Sequence, residues 1–186
     1  MLTDCLDRSL KTATFNENDD DAFDQYALLG DQVISGLINK CRGSHIVFKS
    51  LADSGRATEL LKRFPTAKSI WIFRNYEDVV NSALKKWTEH SVYLSYIIER
   101  SDKAGWRAFG LTESMTELIK AHYDRGIDDQ SARALIWYVR NRLYFEQSLD
   151  SDKRVLLVRY ENLVSAPSDQ FRRVFDFLDL SLHEEH

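Results

Sequence analysis

Three short apolar runs constrain this chain more than any other feature: residues 46–48 (Ile-Val-Phe), 69–73 (Ser-Ile-Trp-Ile-Phe) and 155–158 (Val-Leu-Leu-Val). Each is rich in β-branched or aromatic residues and nearly continuous rather than alternating, the pattern of strands buried on both faces of a sheet. Helical periodicity fills the spaces between and after them, at residues 57–64, 77–87, 131–149 and 167–178. In the second of these, Val79, Val80, Ala83, Leu84 and Trp87 fall on one face. Strands alternating with helices predict an α/β fold, a parallel sheet flanked by helices. A weaker strand is expected at 11–15. Residues 90–129 read differently: Gly105, Gly110 and Gly126 punctuate two amphipathic segments, 92–99 and 113–123. A helical insertion or lid at about 90–129 is therefore expected. No repeat or low-complexity tract interrupts the 186 residues, and residues 1–186 read as a single domain.

Composition narrows the function classes. Hydrophobic residues make up 44% and charged residues 29%, with a net charge of −4, which argues against general nucleic-acid binding. Glu17, Asp19, Asp20, Asp21 and Asp24 form an acidic stretch, a pattern usual for solvated surface. Cys5 and Cys41 fit no metal or redox spacing and read as reduced thiols of a cytoplasmic protein. The first residues lack a basic region followed by an apolar run, so no signal peptide is expected. No apolar run approaches the ~18 residues of a membrane span. His45, His90 and His122 have no partner at metal-ligand spacing, so no metal site is expected.

The chemistry gathers after the second apolar run. Arg74 follows it directly, at the carboxyl rim where open α/β sheets bind ligands. Asn75 suits a helix N-cap, with Asp78 in the capping-box place. Ser82 lies one turn beyond Asp78 on the flank opposite Val80, Ala83, Leu84 and Trp87. An arginine, a helix N-terminus and a hydroxyl on one flank suit a phosphate group. The plainer reading is a capped surface helix whose arginine pairs with a local carboxylate. Near the end, Pro167 is placed to open a helix whose core face is Phe171, Val174, Phe175 and Leu178. Tyr160 and Glu161, in the polar turn before it, read as ties to neighbouring backbone.

Together these segments resemble the sulfotransferase family, whose members use 3′-phosphoadenosine 5′-phosphosulfate (PAPS) as donor. Arg74, Asn75, Asp78 and Ser82 match one family element. Arg159, Tyr160, Glu161, Asn162 and Leu163, then Pro167, then Phe177, Leu178 and Leu180 match another. Phe64, Pro65, Ala67 and Lys68 precede the second run as they do in the family, and the resemblance covers about residues 15–180. It implies a P-loop-like α/β core in which Arg74 and Ser82 hold the donor's 3′-phosphate. It implies that Lys49, followed by Ser50, neutralises charge on the leaving phosphate oxygen, against the plainer reading of a rim lysine in solvent. Glu17 is similar to the glutamate that some members use as general base, against a plain surface role. The implied reaction passes a sulfuryl group from PAPS to a hydroxyl or amine of a small-molecule or glycan acceptor.

One family feature is missing. No strand followed by a Gly- and Ser/Thr-rich loop precedes residue 15, and no Gly-x-x-x-x-Gly-Lys-Ser/Thr occurs. Such loops bind anions because successive backbone N–H groups converge. Residues 53–58 (Asp-Ser-Gly-Arg-Ala-Thr) link a strand to a helix but hold one glycine and an acid, a poor substitute. The expectation is a chain starting downstream of the loop and inactive as it stands. The alternative is a 3′-phosphonucleotide-binding pseudoenzyme, or an interaction module, without transfer. Without an interior strand, a rearranged sheet or a homodimer through the sheet is expected.

Overall fold

The computed structural model describes residues 12–41, 45–100, 102–124 and 126–180. The described residues divide into two compact units, one within 12–53 together with 179–180 and one within 54–178.

The first unit holds β1 (Thr12–Phe15), a small hairpin of β2 (Phe23–Asp24) and β3 (Ala27–Leu28), α1 (Asp31–Lys40) and β4 (His45–Phe48). The weak strand expected at 11–15 is present and pairs in parallel with β4, Thr12 against His45 through Phe15 against Phe48. Phe15 and Phe48 stack at 5.3 Å, and Phe23 meets Phe48 edge-on at 6.5 Å. The hairpin was not foreseen, because its turn places Gln25 and Tyr26 at φ 45° and 69° without a glycine. Asp53, only 5% exposed, holds the hairpin by accepting the Leu28 amide at 2.8 Å. Cys41 is a free thiol, while Cys5 lies outside the described residues.

The second unit runs α2 (Ala57–Arg63), β5 (Ser69–Phe73), α3 (Tyr76–Lys86), α4 (His90–Ile98), a tight turn Asp102–Ala108, α5 (Glu113–His122), α6 (Asp129–Glu146), β6 (Val155–Arg159), α7 (Tyr160–Ser165) and α8 (Pro167–Phe177). Strands β5 and β6 pair in parallel from Ser69–Val155 to Phe73–Arg159. The parallel α/β class is as expected, but burial along the strands is uneven. The register sets Trp71 beside Leu157 on one face and Ile72 beside Val158 on the other. Trp71 and Val158 are 9% and 0% exposed, so both faces are covered in part, whereas Ile72 is 47% exposed. Residues 46–48, 69–73 and 155–158 form no single continuous ladder.

Helix α6 organises this unit. Asp128 is its N-cap and accepts the Ser131 amide at 2.8 Å, so the helix starts at Asp129 rather than at 131. Its apolar stripe divides between two cores. Ala132, Ile136 and Val139 pack with Leu94, Ile97, Ala104 and Ile119 of the helical block. Leu143 and Tyr144 pack with Leu61, Trp71, Met115 and Leu149 beside the strands. The 90–129 insertion is helical as expected, yet it has its own core against α6 and is no loose lid. Burying a side chain such as Ile136 or Leu143 fully contributes about 1.5–3 kcal/mol. Two glycines permit one close crossing here. A Cβ on Gly55 would lie 2.0 Å from the Phe109 carbonyl oxygen, and one on Gly110 would lie 2.1 Å from the Gly55 carbonyl oxygen.

Candidate functional site

Because β5 and β6 are parallel and in register, both end at one rim, and the residues that follow meet there. The Arg74 guanidinium lies over the Tyr160 ring, 4.6 Å from its centroid. The Trp137 indole N–H donates to the Arg74 carbonyl at 3.1 Å, and its ring packs on Phe73 and Tyr76 at 5.4 and 5.9 Å. The arginine backbone and the root of its side chain are thus fixed from two sides. Its charge is only loosely engaged. Asp78 approaches Arg74 to 3.8 Å with 55% of its side chain exposed, a pair worth about 0–1 kcal/mol. The Arg74 Nε is buried with no hydrogen-bond partner.

Asn75 caps α3 as expected, accepting the Glu77 amide at 2.9 Å. The capping box does not form with Asp78. Instead the Asn75 amide donates to Glu161 Oε1 at 2.7 Å, because the adjoining β6 rim brings that carboxylate to the helix entry. Glu161 therefore ties backbone, the role read from the sequence. The Asn75 amide first, then its own backbone amide and the Arg159 and Arg74 charges, hold its carboxyl below the usual range against partial burial. Positions 75, 78 and 82 share a flank of α3. Ser82 is exposed there, opposite the buried Val80 and Ala83, while Trp87, expected on the apolar face, is 43% exposed.

The other two candidates meet in the first unit. Lys49 and Glu17 follow β4 and β1, whose register sets Phe48 beside Phe15. Lys49 Nζ lies 2.9 Å from one Glu17 carboxylate oxygen and 3.1 Å from the other. Both remain partly accessible, at 47% and 20% of the side chain. Ser50 is otherwise engaged: its hydroxyl bonds the Asp53 carboxylate and accepts the Asp53 amide at 3.2 Å.

The turn after residue 53 is built into the fold rather than open to an anion. The Thr58 amide donates to Gln147 Oε1 at 3.0 Å, and the Ser54 carbonyl accepts Gln147 Nε2 at 2.7 Å. Arg140 donates to the Ser54 hydroxyl. Trp137 went unnoticed in the sequence, where it reads as one more apolar residue of a long helix. Its spacing from Arg133 and Arg140, one turn either side, was the available signal.

The sequence matches the sulfotransferase family over residues 4–184. It is 31% identical over 137 residues to cytosolic sulfotransferase 7 of Arabidopsis thaliana. That alignment covers 73% of this chain and 33% of the relative, so the chain spans about a third of the relative's length. No solved structure matches.

Proposed function

The chain belongs to the sulfotransferase family, and from that premise we propose that it binds the 3′-phosphate of PAPS, or of the spent nucleotide, through Arg74 and Ser82. The observation carrying this reading is Arg74, whose carbonyl is held by Trp137 and whose guanidinium lies over Tyr160, only loosely paired and with an unsatisfied buried Nε. A doubly charged phosphate supplies the acceptors that Asp78 does not, and arginine suits oxyanions with several oxygens. Ser82 adds a hydroxyl donor from the same flank of α3.

Lys49 and Glu17 are the proposed transfer residues. The acceptor oxygen or nitrogen forms a bond to sulfur while the bond from sulfur to the 5′-phosphate oxygen breaks. The acceptor proton passes to the Glu17 carboxylate, and Lys49 stabilises charge on the leaving oxygen. Their mutual ion pair stores the base neutralised. Moving Lys49 to the leaving phosphate releases the carboxylate, and the exchange costs little because the pair is solvent-accessible. This reading treats residues 1–186 as one sulfotransferase-type domain acting on a small-molecule or glycan acceptor. A cytoplasmic setting is part of the proposal, supported by the likeness to the cytosolic sulfotransferase of Arabidopsis thaliana.

A second reading, nucleotide binding without transfer by residues 1–186 alone, is favoured by the 54–58 turn, whose polar groups serve α6. With no Gly-rich loop in the sequence, little positions the 5′-phosphosulfate for in-line attack. Calorimetric titration tests the site. 3′-Phosphoadenosine 5′-phosphate should bind more tightly than AMP, and Arg74→Ala should weaken it about tenfold or more. Equal affinities for the two nucleotides, or an unaffected variant, would refute the assignment. An assay for product nucleotide separates the two readings: turnover above background by this chain supports transfer.

A further inference from the structure

The step from β5 into α3 passes through one peptide group, the one joining Arg74 to Asn75. Side chains from elsewhere in the second unit hold both of its polar ends. Its carbonyl, that of Arg74, accepts the Trp137 indole N–H at 3.1 Å. Its N–H, that of Asn75, donates to Glu161 Oε1 at 2.7 Å. The two partners stand 63 and 86 residues further along the chain, in α6 and at the start of α7. The Trp137 ring spans the same step, against Phe73 on the strand side at 5.4 Å and Tyr76 on the helix side at 5.9 Å.

Starting the helix does not require these ties. The Asn75 side chain already caps α3 by accepting the Glu77 amide at 2.9 Å, and its carbonyl accepts the Val79 amide at 3.2 Å. What the ties add is resistance to rotation, since turning the peptide plane breaks a bond at each end. That rotation matters because Arg74 belongs to the strand end and Ser82 to the helix. Ser82 lies about 10 Å of helix axis beyond Asn75, so a swing of about 10° at this peptide displaces it by about 2 Å from its place relative to Arg74. Hydrogen bonds tolerate a spread of only about 0.5 Å in length.

We propose that Trp137 and Glu161 act together as positioning residues, clamping the 74–75 peptide so that Arg74 and Ser82 stand at a spacing one phosphate group can bridge. The proposal rests on the reading of Arg74 and Ser82 as the 3′-phosphate site. It adds the two groups that set the preference of that site for a 3′-phosphorylated nucleotide, acting through the backbone rather than on the phosphate.

Two measurements on the 186-residue chain test it. The first needs no nucleotide: hydrogen exchange of the Asn75 amide, followed by NMR. Trp137→Phe keeps an aromatic ring but loses the indole N–H, and should speed that exchange about threefold or more. Glu161→Leu should speed it further, whereas Glu161→Gln, whose side-chain oxygen still accepts, should stay near wild type. The second is the ratio of calorimetric affinities for 3′-phosphoadenosine 5′-phosphate and AMP. Trp137→Phe and Glu161→Leu should each lower that ratio about threefold to tenfold, by weakening the 3′-phosphorylated nucleotide alone, and Glu161→Gln should keep it. A merely structural role would lower the Tm and leave the ratio in place. Should Trp137→Phe fail to fold by circular dichroism, Glu161→Leu set against Glu161→Gln carries both expectations. Unaltered Asn75 exchange in Trp137→Phe and Glu161→Leu overturns the clamp. So does an unchanged ratio in both variants where Arg74→Ala has lowered it, a result that leaves the phosphate site standing. A wild type that binds the two nucleotides equally removes the phosphate site itself, and the positioning role with it.

Discussion

Replacing Arg140 with methionine keeps most of the apolar stem but removes the most heavily used guanidinium of α6. Arg140 is 7% exposed and donates to the carbonyls of Trp106, Arg107 and Phe109 at 3.2, 3.5 and 2.7 Å, besides the Ser54 hydroxyl. The bond to Phe109 holds the stretch that crosses Gly55, where backbone meets backbone with no room for a side chain. A hydrogen bond from a charged donor contributes about 1.5–3 kcal/mol, and each buried acceptor left unmet costs about 1–3 kcal/mol. The bonds at 3.2 and 3.5 Å are weak, so the net loss should be about 3–5 kcal/mol rather than the full sum. Against a total stability of about 5–15 kcal/mol this is a large fraction. With a urea slope of about 2 kcal/mol per molar, the midpoint should fall by about 1.5–2.5 M. Arg140→Lys should recover part of the loss, because an ammonium offers donors but not the planar fork. A midpoint lowered by less than about 0.5 M would refute the claim that Arg140 fastens the 106–109 turn.

Two further outcomes follow from the same block. Asp129→Ala removes three hydrogen bonds that cap α4 from another helix and should cost about 2 kcal/mol, read by thermal unfolding. In the wild type that contribution is present above the ordinary carboxyl range and is lost as pH falls through the depressed folded value of Asp129. His90 shows the opposite kind of group, a base held low by burial: between its folded value and about 6.5 the unfolded chain takes up the proton and the folded one does not. Stability should therefore fall as pH drops through about 6.5, and His90→Phe should lose less than wild type between pH 7.5 and 5.5 in urea titrations. Parallel pH dependence in the two proteins would refute it.

Much of the fold was legible because it is local. The runs at 46–48, 69–73 and 155–158 appear as β4, β5 and β6, and Pro167 opens α8 as its missing N–H allows. Asn75 caps α3, since an Asx residue before a helical period has few other uses. What failed depended on neighbours. Asp78 has the right spacing for a capping box, but Glu161, 86 positions from Asn75, takes the amide. Ile72 reads as core within its apolar run, yet it is 47% exposed although Val158, its partner on the same face, is buried. The pairing of Lys49 with Glu17 follows from register between two strands, which neither residue's sequence context reveals.

The least legible part was the face of α6 that carries polar and aromatic residues together. Arg133, Trp137, Arg140 and Tyr144 recur at helical spacing, and each addresses a different partner. Arg133 has its Nε buried, Trp137 holds the Arg74 carbonyl at the strand rim, Arg140 fastens the 106–109 turn, and Tyr144 packs on Trp71 at 5.6 Å. In sequence such a stripe reads as an imperfect amphipathic helix, because the apolar pattern is interrupted by two arginines. In the fold those arginines are what the stripe is for. A guanidinium can satisfy several carbonyls at once or wait for an oxyanion, and a hydrocarbon of equal size can do neither. One helix thus touches both the Arg74 rim and the core of the helical block.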